Sequence, residues 1–272
     1  LEAINMAAQL IRTGEAEIAV AGGTENMSQV PYMLEYQARF DGLRMGNSTL
    51  VDGLTEGLGC PVNRYHMGVT AENVAERFGV SRKDQDELAF ISHQRASTAA
   101  SEGRFANQIT AIEVQQRRSD PVTVSQDEGP RADTTIEGLS ALRPVFKKDG
   151  TVTAGNASSI NDGAAAVVMM SAERAAALGL KARMKWHTRG VAGVEPAIMG
   201  IGPVPAVQKA LGKAGMEIGD IDVIELNEAF ASQALYCMRE LNLDIDKTNP
   251  NRSGISLGHP VGATGAIMTV KI

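Results

Sequence analysis

The opening residues constrain the fold more than any other stretch. In LEAINMAAQLI the residues Leu1, Ile4, Ala7, Ala8 and Ile11 recur at helical spacing, and Gly14 supplies a stop. Ile18 to Ala21 (IAVA) then reads as a short buried strand closed by Gly22 and Gly23. A helix, a short turn and an apolar strand form the signature of an α/β layer, whose sheet is covered by helices. GGTENMS follows and reads as a turn that carries polar groups off the strand end, a favoured place for sites in such sheets.

The same grammar returns late in the chain. Gly163 to Met170 (GAAAVVMM) reads as a strand, and Ser171 to Leu178 as a helix with Ser171 as N-cap and Gly179 as stop. Pro203 to Ala214 is a helix with its prolines early, Ile221 to Leu226 (IDVIEL) a strand, and Asn227 to Leu241 a helix. Between them the alternation weakens. Thr70 to Phe78 reads as one helix, and Ser81 opens another with Asp84 in its first turn. RRSDPVTVSQDEGPRADTT has no period and reads as a surface excursion. The expected organisation is α/β halves at 1–28 with 161–180 and at 181–272, carrying an inserted loop domain at 29–160.

Composition removes several classes. A net charge of −6 argues against a broad nucleic-acid surface. The longest apolar run, GAAAVVMM, is far short of the ~20 residues of a membrane span. Two cysteines, Cys60 and Cys237, without a paired motif support neither a disulfide scaffold nor structural zinc, and no ligand cluster calls for a metal. The chain starts at Leu1 inside a helical pattern and ends at Ile272 inside an apolar run, so both ends are expected to be cut. A reducing, cytoplasmic setting is expected, and with the start expected to be cut a targeting signal is not assessable.

Four histidines are candidates for chemistry. His93 sits among polar neighbours on a helix and is expected at the surface; His187 follows Trp186 in a strand-like stretch and is expected to be structural. His66, before a glycine and a helix start, stays open. His259 lies between Gly258 and Pro260 in GISLGHPVGATG, so its backbone is constrained and its ring is a candidate catalytic imidazole. Gly262, Thr264 and Gly265 imitate a phosphate loop only weakly, because the lysine of such a loop is absent. Asn227 can be an N-cap or an amide offered to a substrate oxygen, and Glu228 an acid–base group or a dipole partner. Cys237 among Leu235, Tyr236 and Met238 is expected to be core, and Cys60 has no base beside it.

GGTENMS, YHMGVTAENVAE, LRPVFKKDGTVTAGNASSINDGAAA, ELNEAFA and GISLGHPVGATG occur in this order across nearly the whole chain. In that order the chain resembles the central and C-terminal part of a thiolase of the acetyl-CoA acetyltransferase type. The resemblance implies a layered α-β-α-β-α fold and reversible Claisen condensation of two acetyl-CoA to acetoacetyl-CoA and CoA. It implies a base at His259, and at Asn227 a water-holding amide that joins the histidine as oxyanion support, worth about 3–4 kcal/mol per donor in other enzymes. Ser158 matches a pantetheine contact and Arg131 the nucleotide end of coenzyme A. His66 and Met67 match the substrate channel, and Met199, Ala229 and Phe230 the wall near the acyl group.

No cofactor is implied beyond CoA thioesters, and the partners implied are acyl-CoA substrates and further copies in a homodimer or homotetramer. Thiolases carry their nucleophilic cysteine in a C-x-S-G segment just before the helix that LEAINMAAQLI resembles, and a second cysteine in a C-x-G turn. Neither Cys60 nor Cys237 matches, so the nucleophile is expected to lie outside these residues and the chain alone to be inactive. Arg252 and Ser253 stand where the family commonly has two glycines, and Ser159 replaces a frequent glycine. A degradative 3-ketoacyl-CoA thiolase and a non-catalytic CoA- or lipid-binding relative remain as alternatives.

Overall fold

The computed structural model describes residues 1–43 and 45–272. Helix α1 (Glu2–Arg12) buries Ile4, Ala7 and Ala8, one stripe at helical spacing, and the chain turns at Gly14 into strand β1 (Ile18–Asn26). β1 pairs antiparallel with a strand far along the chain, β6 (Asp162–Met170), in register from Ile18 opposite Met170 to Asn26 opposite Asp162. Ala19, Ala21, Ala165, Val167 and Met169 face α1 and Ala266, and burying Ile4 there contributes about 1.5–3 kcal/mol. The other face of the ribbon, with Val20 and Val168, is exposed. Both strands are therefore covered on one side only, not buried throughout as their apolar runs suggest.

GGTEN is strand, not turn: β1 continues through Gly22 and Gly23 to Asn26, and Met27 and Ser28 begin a single 3-10 turn. The glycines serve close approach. A Cβ on Gly23 would run into the carbonyl oxygen of Gly262, so the loop that follows His259 lies directly on the sheet. Residues 27–161 leave and return between two paired strands. They open with β2 (Tyr32–Leu34), α2 (Gln37–Phe40), β3 (Leu50–Asp52) and α3 (Gly53–Gly57), where β2 and β3 pair as a small antiparallel ribbon.

Two helices then carry most of the packing. α4 (Met67–Phe78) starts three residues before the expected Thr70, because His66 caps it by accepting the amide of Gly68 at 3.0 Å. α5 (Arg82–Ser101) is capped by Ser81, whose hydroxyl accepts the amide of Asp84 at 3.1 Å. β4 (Ile112–Val114) lies just ahead of the stretch expected to be structureless and pairs as a short exposed ribbon with β5 (Val122–Val124) inside it, and α6 (Ile136–Ser140) follows. The loop that ends in GNASS is bound to α4 through Glu72, whose carboxylate accepts the amides of Thr151 and Val152, each at 2.9 Å.

After β6 come α7 (Ala172–Ala177), capped by Ser171, and α8 (Pro203–Ala214), whose bounds match the sequence expectation. His187 is exposed and lies in no strand. IDVIEL forms no strand either: Ile224 alone makes a parallel bridge, to Thr248, which is too little for a ladder. α9 spans Ala231–Glu240, and α10 (Gly254–Leu257) and α11 (Thr264–Lys271) close the described chain. Leu88 and Ala89 of α5, Leu226, Ala231, Ala234 and Met238 around α9, and Ile255 of α10 form the second core. That core packs α9 and α10 each against α5.

Candidate active site

The histidine loop is built by a glycine and an asparagine. Gly258 has φ +95°, a conformation that a side chain would strain, and a Cβ there would collide with the amide group of Asn161. The carbonyl oxygen of that amide accepts the backbone N–H of His259 at 3.0 Å. The ring is fixed from the other side. Nδ1 of His259 lies 2.7 Å from Oγ1 of Thr264, and the same hydroxyl lies 2.9 Å from the carbonyl oxygen of Pro260. A carbonyl only accepts, so the single Thr264 proton goes to Pro260, and Thr264 in turn accepts from Nδ1–H. This leaves Nε2 with its lone pair, 3.3 Å from Nδ2 of Asn227. Burial holds the His259 pKa below its ordinary value, which favours the neutral ring.

Asn227 does not cap α9, which begins only at Ala231 after Phe230. Its Oδ1 is buried and unpartnered, while Nδ2 faces His259, so the amide is held for something other than the helix. Glu228 beside it points inward. It is 1% exposed, accepts Ser92 Oγ at 2.7 Å and Asn249 Nδ2 at 3.0 Å, and stands 3.6 Å from the guanidinium of Arg252. It is a buried structural carboxylate, and the acid–base option for it falls.

His259, Asn227, Ser158, His66, Met67, Met199, Ala229 and Phe230 line one largely apolar cavity of about 1010 Å³. Ser158 arrives there because its amide donates to the carbonyl of Ala229 at 2.9 Å, tying GNASS to the turn ahead of α9. The His66 ring stacks on Phe146 with centroids 4.7 Å apart, and Phe146 meets Phe230 edge-on at 6.2 Å. Burial also lowers the His66 pKa. Arg131 does not line the cavity; its side chain is exposed on the segment before α6.

Phe146 and Asn161 belong to this site but escape sequence reasoning, and Thr264 enters the sequence reading only as part of a weak phosphate-loop pattern. Each sits inside a quoted motif, yet its partner lies across a fold contact or depends on where one proton goes. His93, expected at the surface, is only 7% exposed, because the Arg131 segment packs over it. The phosphate-loop option fails on charge: the amide of Gly262 donates to the carboxylate of Glu25 at 3.0 Å.

Neither cysteine reaches the cavity. Cys237 is fully buried, and burial pushes its thiol up to about 12. Cys60 is buried, and its sulfur accepts the amide of Asn63 at 3.3 Å. Among the described residues no group of three or more His, Cys, Asp or Glu side chains could hold a metal, and no helix is long and apolar enough to cross a membrane.

Residues 1–173 match the family model for the thiolase N-terminal domain, and residues 180–272 that for the thiolase C-terminal domain. An acetyl-CoA acetyltransferase of Pseudomonas aeruginosa is 52% identical over all of this chain, which spans 69% of that protein. A beta-ketothiolase of Cupriavidus necator is 53% identical, again over all of this chain and 68% of the relative. The solved Bacillus anthracis acetyl-CoA acetyltransferase superposes with a TM-score of 0.96 at 47% identity, over 99% of this chain and 68% of its own. Human mitochondrial 3-ketoacyl-CoA thiolase does so at 0.94 and 43% identity, with the same coverage.

Proposed function

The chain belongs to the thiolase family of acyltransferase enzymes, and from that membership we propose that it serves the reversible condensation of two acetyl-CoA to acetoacetyl-CoA and CoA. The pair of His259 Nε2 and Asn227 Nδ2, 3.3 Å apart on the wall of an apolar cavity, is the observation that carries the reading.

The roles follow from the tautomer. With Nδ1–H committed to Thr264, Nε2 is the free base for a thiol proton. Once it has taken that proton, the imidazolium N–H becomes a donor beside the Asn227 amide. One ring thus serves first as base and then as oxyanion support. The thiolate attacks the thioester carbonyl, the C–S bond to CoA breaks, and CoA leaves with a proton. A second acetyl-CoA, deprotonated at its α-carbon, then attacks the acyl-cysteine and releases the thiol. That cysteine is neither Cys60 nor Cys237; thiolases carry it ahead of the helix that α1 resembles. Around this centre the reading puts pantetheine at Ser158, the nucleotide end at Arg131, the channel at His66 and Met67, and the acyl wall at Met199, Ala229 and Phe230. It also takes 29–160 as an inserted loop domain, a homodimer or homotetramer as the assembly, CoA thioesters as the only small-molecule requirement, and the cytoplasm as the setting.

The test is thiolysis of acetoacetyl-CoA by the natural gene product. His259→Ala is expected to abolish turnover and Asn227→Ala to lower kcat roughly 10²- to 10³-fold. Wild-type turnover in His259→Ala overturns the assignment, and CoA binding without any turnover favours the non-catalytic alternative. The degradative reading is kept by the size of the cavity, about 1010 Å³. A higher kcat/KM on long-chain 3-ketoacyl-CoA than on acetoacetyl-CoA would favour it.

A further inference from the structure

We propose that His93 is a positioning residue whose neutral ring holds the segment presenting Arg131, so that coenzyme A affinity weakens when His93 is protonated. The affinity part rests on the reading of Arg131 as the nucleotide contact; the clamp itself does not.

Two consecutive side chains of α5 grip the backbone of two consecutive residues of that segment. Nδ1 of His93 accepts the backbone N–H of Arg131 at 3.2 Å, and Nε2 of Gln94 donates to the carbonyl oxygen of Ala132 at 3.3 Å. The segment is also backed against the catalytic loop, since a Cβ on Gly129 would strike the carbonyl oxygen of Ser256. Ser256 in turn exchanges a hydroxyl contact of 2.8 Å with Ser92, the residue before His93. Residues 129–132 are therefore wedged between α5 and α10, three residues ahead of His259 at their nearest. The Arg131 side chain is exposed, so the clamp acts on its backbone and aims the side chain without covering it.

An imidazole that accepts at Nδ1 must be unprotonated there. In His93⁺ both ring nitrogens are donors, Nδ1–H faces the Arg131 N–H, and the clamp opens. Burial opposes that protonation most, the Arg131 charge adds to the opposition, and Asp133 favours it. Of the other charged groups nearby, Lys83 pairs with Glu87 on α5, Glu228 behind Ser92 pairs with Arg252, and Asp127 and Glu128 of the segment itself are exposed. On α5, Arg82 pairs with Asp86, Asp84 pairs with Arg239 of α9, and Arg95 pairs with Asp246. α10 (GISL) carries no ionisable side chain, and Glu137 of α6 is exposed. The clamp is thus closed at neutral pH and lost as pH falls below the ordinary histidine range.

Two measurements on the natural gene product separate the clamp from its consequence. The first is the hydrogen-exchange protection factor of the Arg131 amide between pH 7.5 and pH 5. In the wild type it is expected to drop about tenfold on acidification, in His93→Gln to stay level because the amide oxygen accepts without titrating, and in His93→Leu to be low throughout. Protection that falls equally in His93→Gln, or persists in His93→Leu, overturns the proposal. The second is the calorimetric Kd for CoA, expected to weaken with the same pH profile and to be pH-insensitive in His93→Gln. If protection follows the clamp while Arg131→Ala binds CoA as tightly as wild type, the nucleotide reading of Arg131 fails and with it the effect on affinity.

Discussion

Nδ1 of His259 stands 2.7 Å from the hydroxyl of Thr264, whose own proton is turned to the carbonyl of Pro260, 2.9 Å away. This pair fixes the histidine tautomer through a residue that does not line the cavity. Thr264→Val keeps the shape and removes the acceptor, so Nδ1–H loses its partner when the ring carries positive charge. A hydrogen bond to a charged group is worth about 1.5–3 kcal/mol, so kcat is expected to fall roughly 10- to 100-fold with KM little changed. Thr264→Ser keeps the hydroxyl and is expected to restore most of the rate. Steady-state thiolysis of acetoacetyl-CoA by the natural gene product checks it, and an equal loss in both variants would mean that the hydroxyl is not what matters.

Burial lowers the pKa of His66, His93 and His259 from the ordinary 6.5. On the proposed role of His259 as a neutral base, the acid limb of kcat is expected below that value, with a plateau above it. Stability has the same sign. The unfolded chain takes up these protons before the native one does, so the histidine contribution is fully present above about pH 6.5 and is lost as pH falls through the lowered native values. Urea unfolding at pH 7.5 and pH 5.5 is expected to give a lower midpoint at the acid pH. An unchanged midpoint in wild type would contradict the neutral state of all three rings.

What the sequence made legible was whatever depends on near neighbours in the chain. Ser81 and Ser171 cap the helices they precede, because a cap is a local hydrogen bond to the third residue on. His259 could be singled out because its flanking glycine and proline act on its own backbone. The misreadings concern contacts across the fold. His93 looked exposed because α5 is polar on most sides, and what buries it is a segment 38 residues further on. IDVIEL has the composition of a strand, but a strand needs a ladder, and only Ile224 finds a partner. Asn227 has the chemistry of an N-cap, yet Gly254 lets α10 come so close to it that a Cβ there would sit 2.8 Å from its Oδ1. That approach belongs to tertiary packing.

Both thiols are expected to be poor nucleophiles in the folded chain. Cys237 is fully buried with its pKa raised to about 12, and Cys60 is 4% exposed. Iodoacetamide at neutral pH should leave both unmodified in the native 272-residue protein and alkylate both in denaturant, read by intact mass. Rapid native labelling of either cysteine, slowed by acetyl-CoA, would reopen the question of which thiol takes the acyl group.

Arg252 and Glu228 set the last test. Arg252 adopts φ +67°, is fully buried, and none of its three guanidinium nitrogens has a hydrogen-bond partner. Its charge is balanced by Glu228 at 3.6 Å, which Ser92 and Asn249 hold in place. Removing one member of a buried pair strands the other, at a cost of about 3–5 kcal/mol. Glu228→Gln is therefore expected to lower the unfolding free energy by that amount. Adding Arg252→Gly to it removes the stranded cation and replaces a strained left-handed residue with one that tolerates the conformation. The double variant is expected to recover most of the loss, with a favourable coupling of several kcal/mol in the double-mutant cycle. Additive losses in urea unfolding would show that the two side chains do not balance one another.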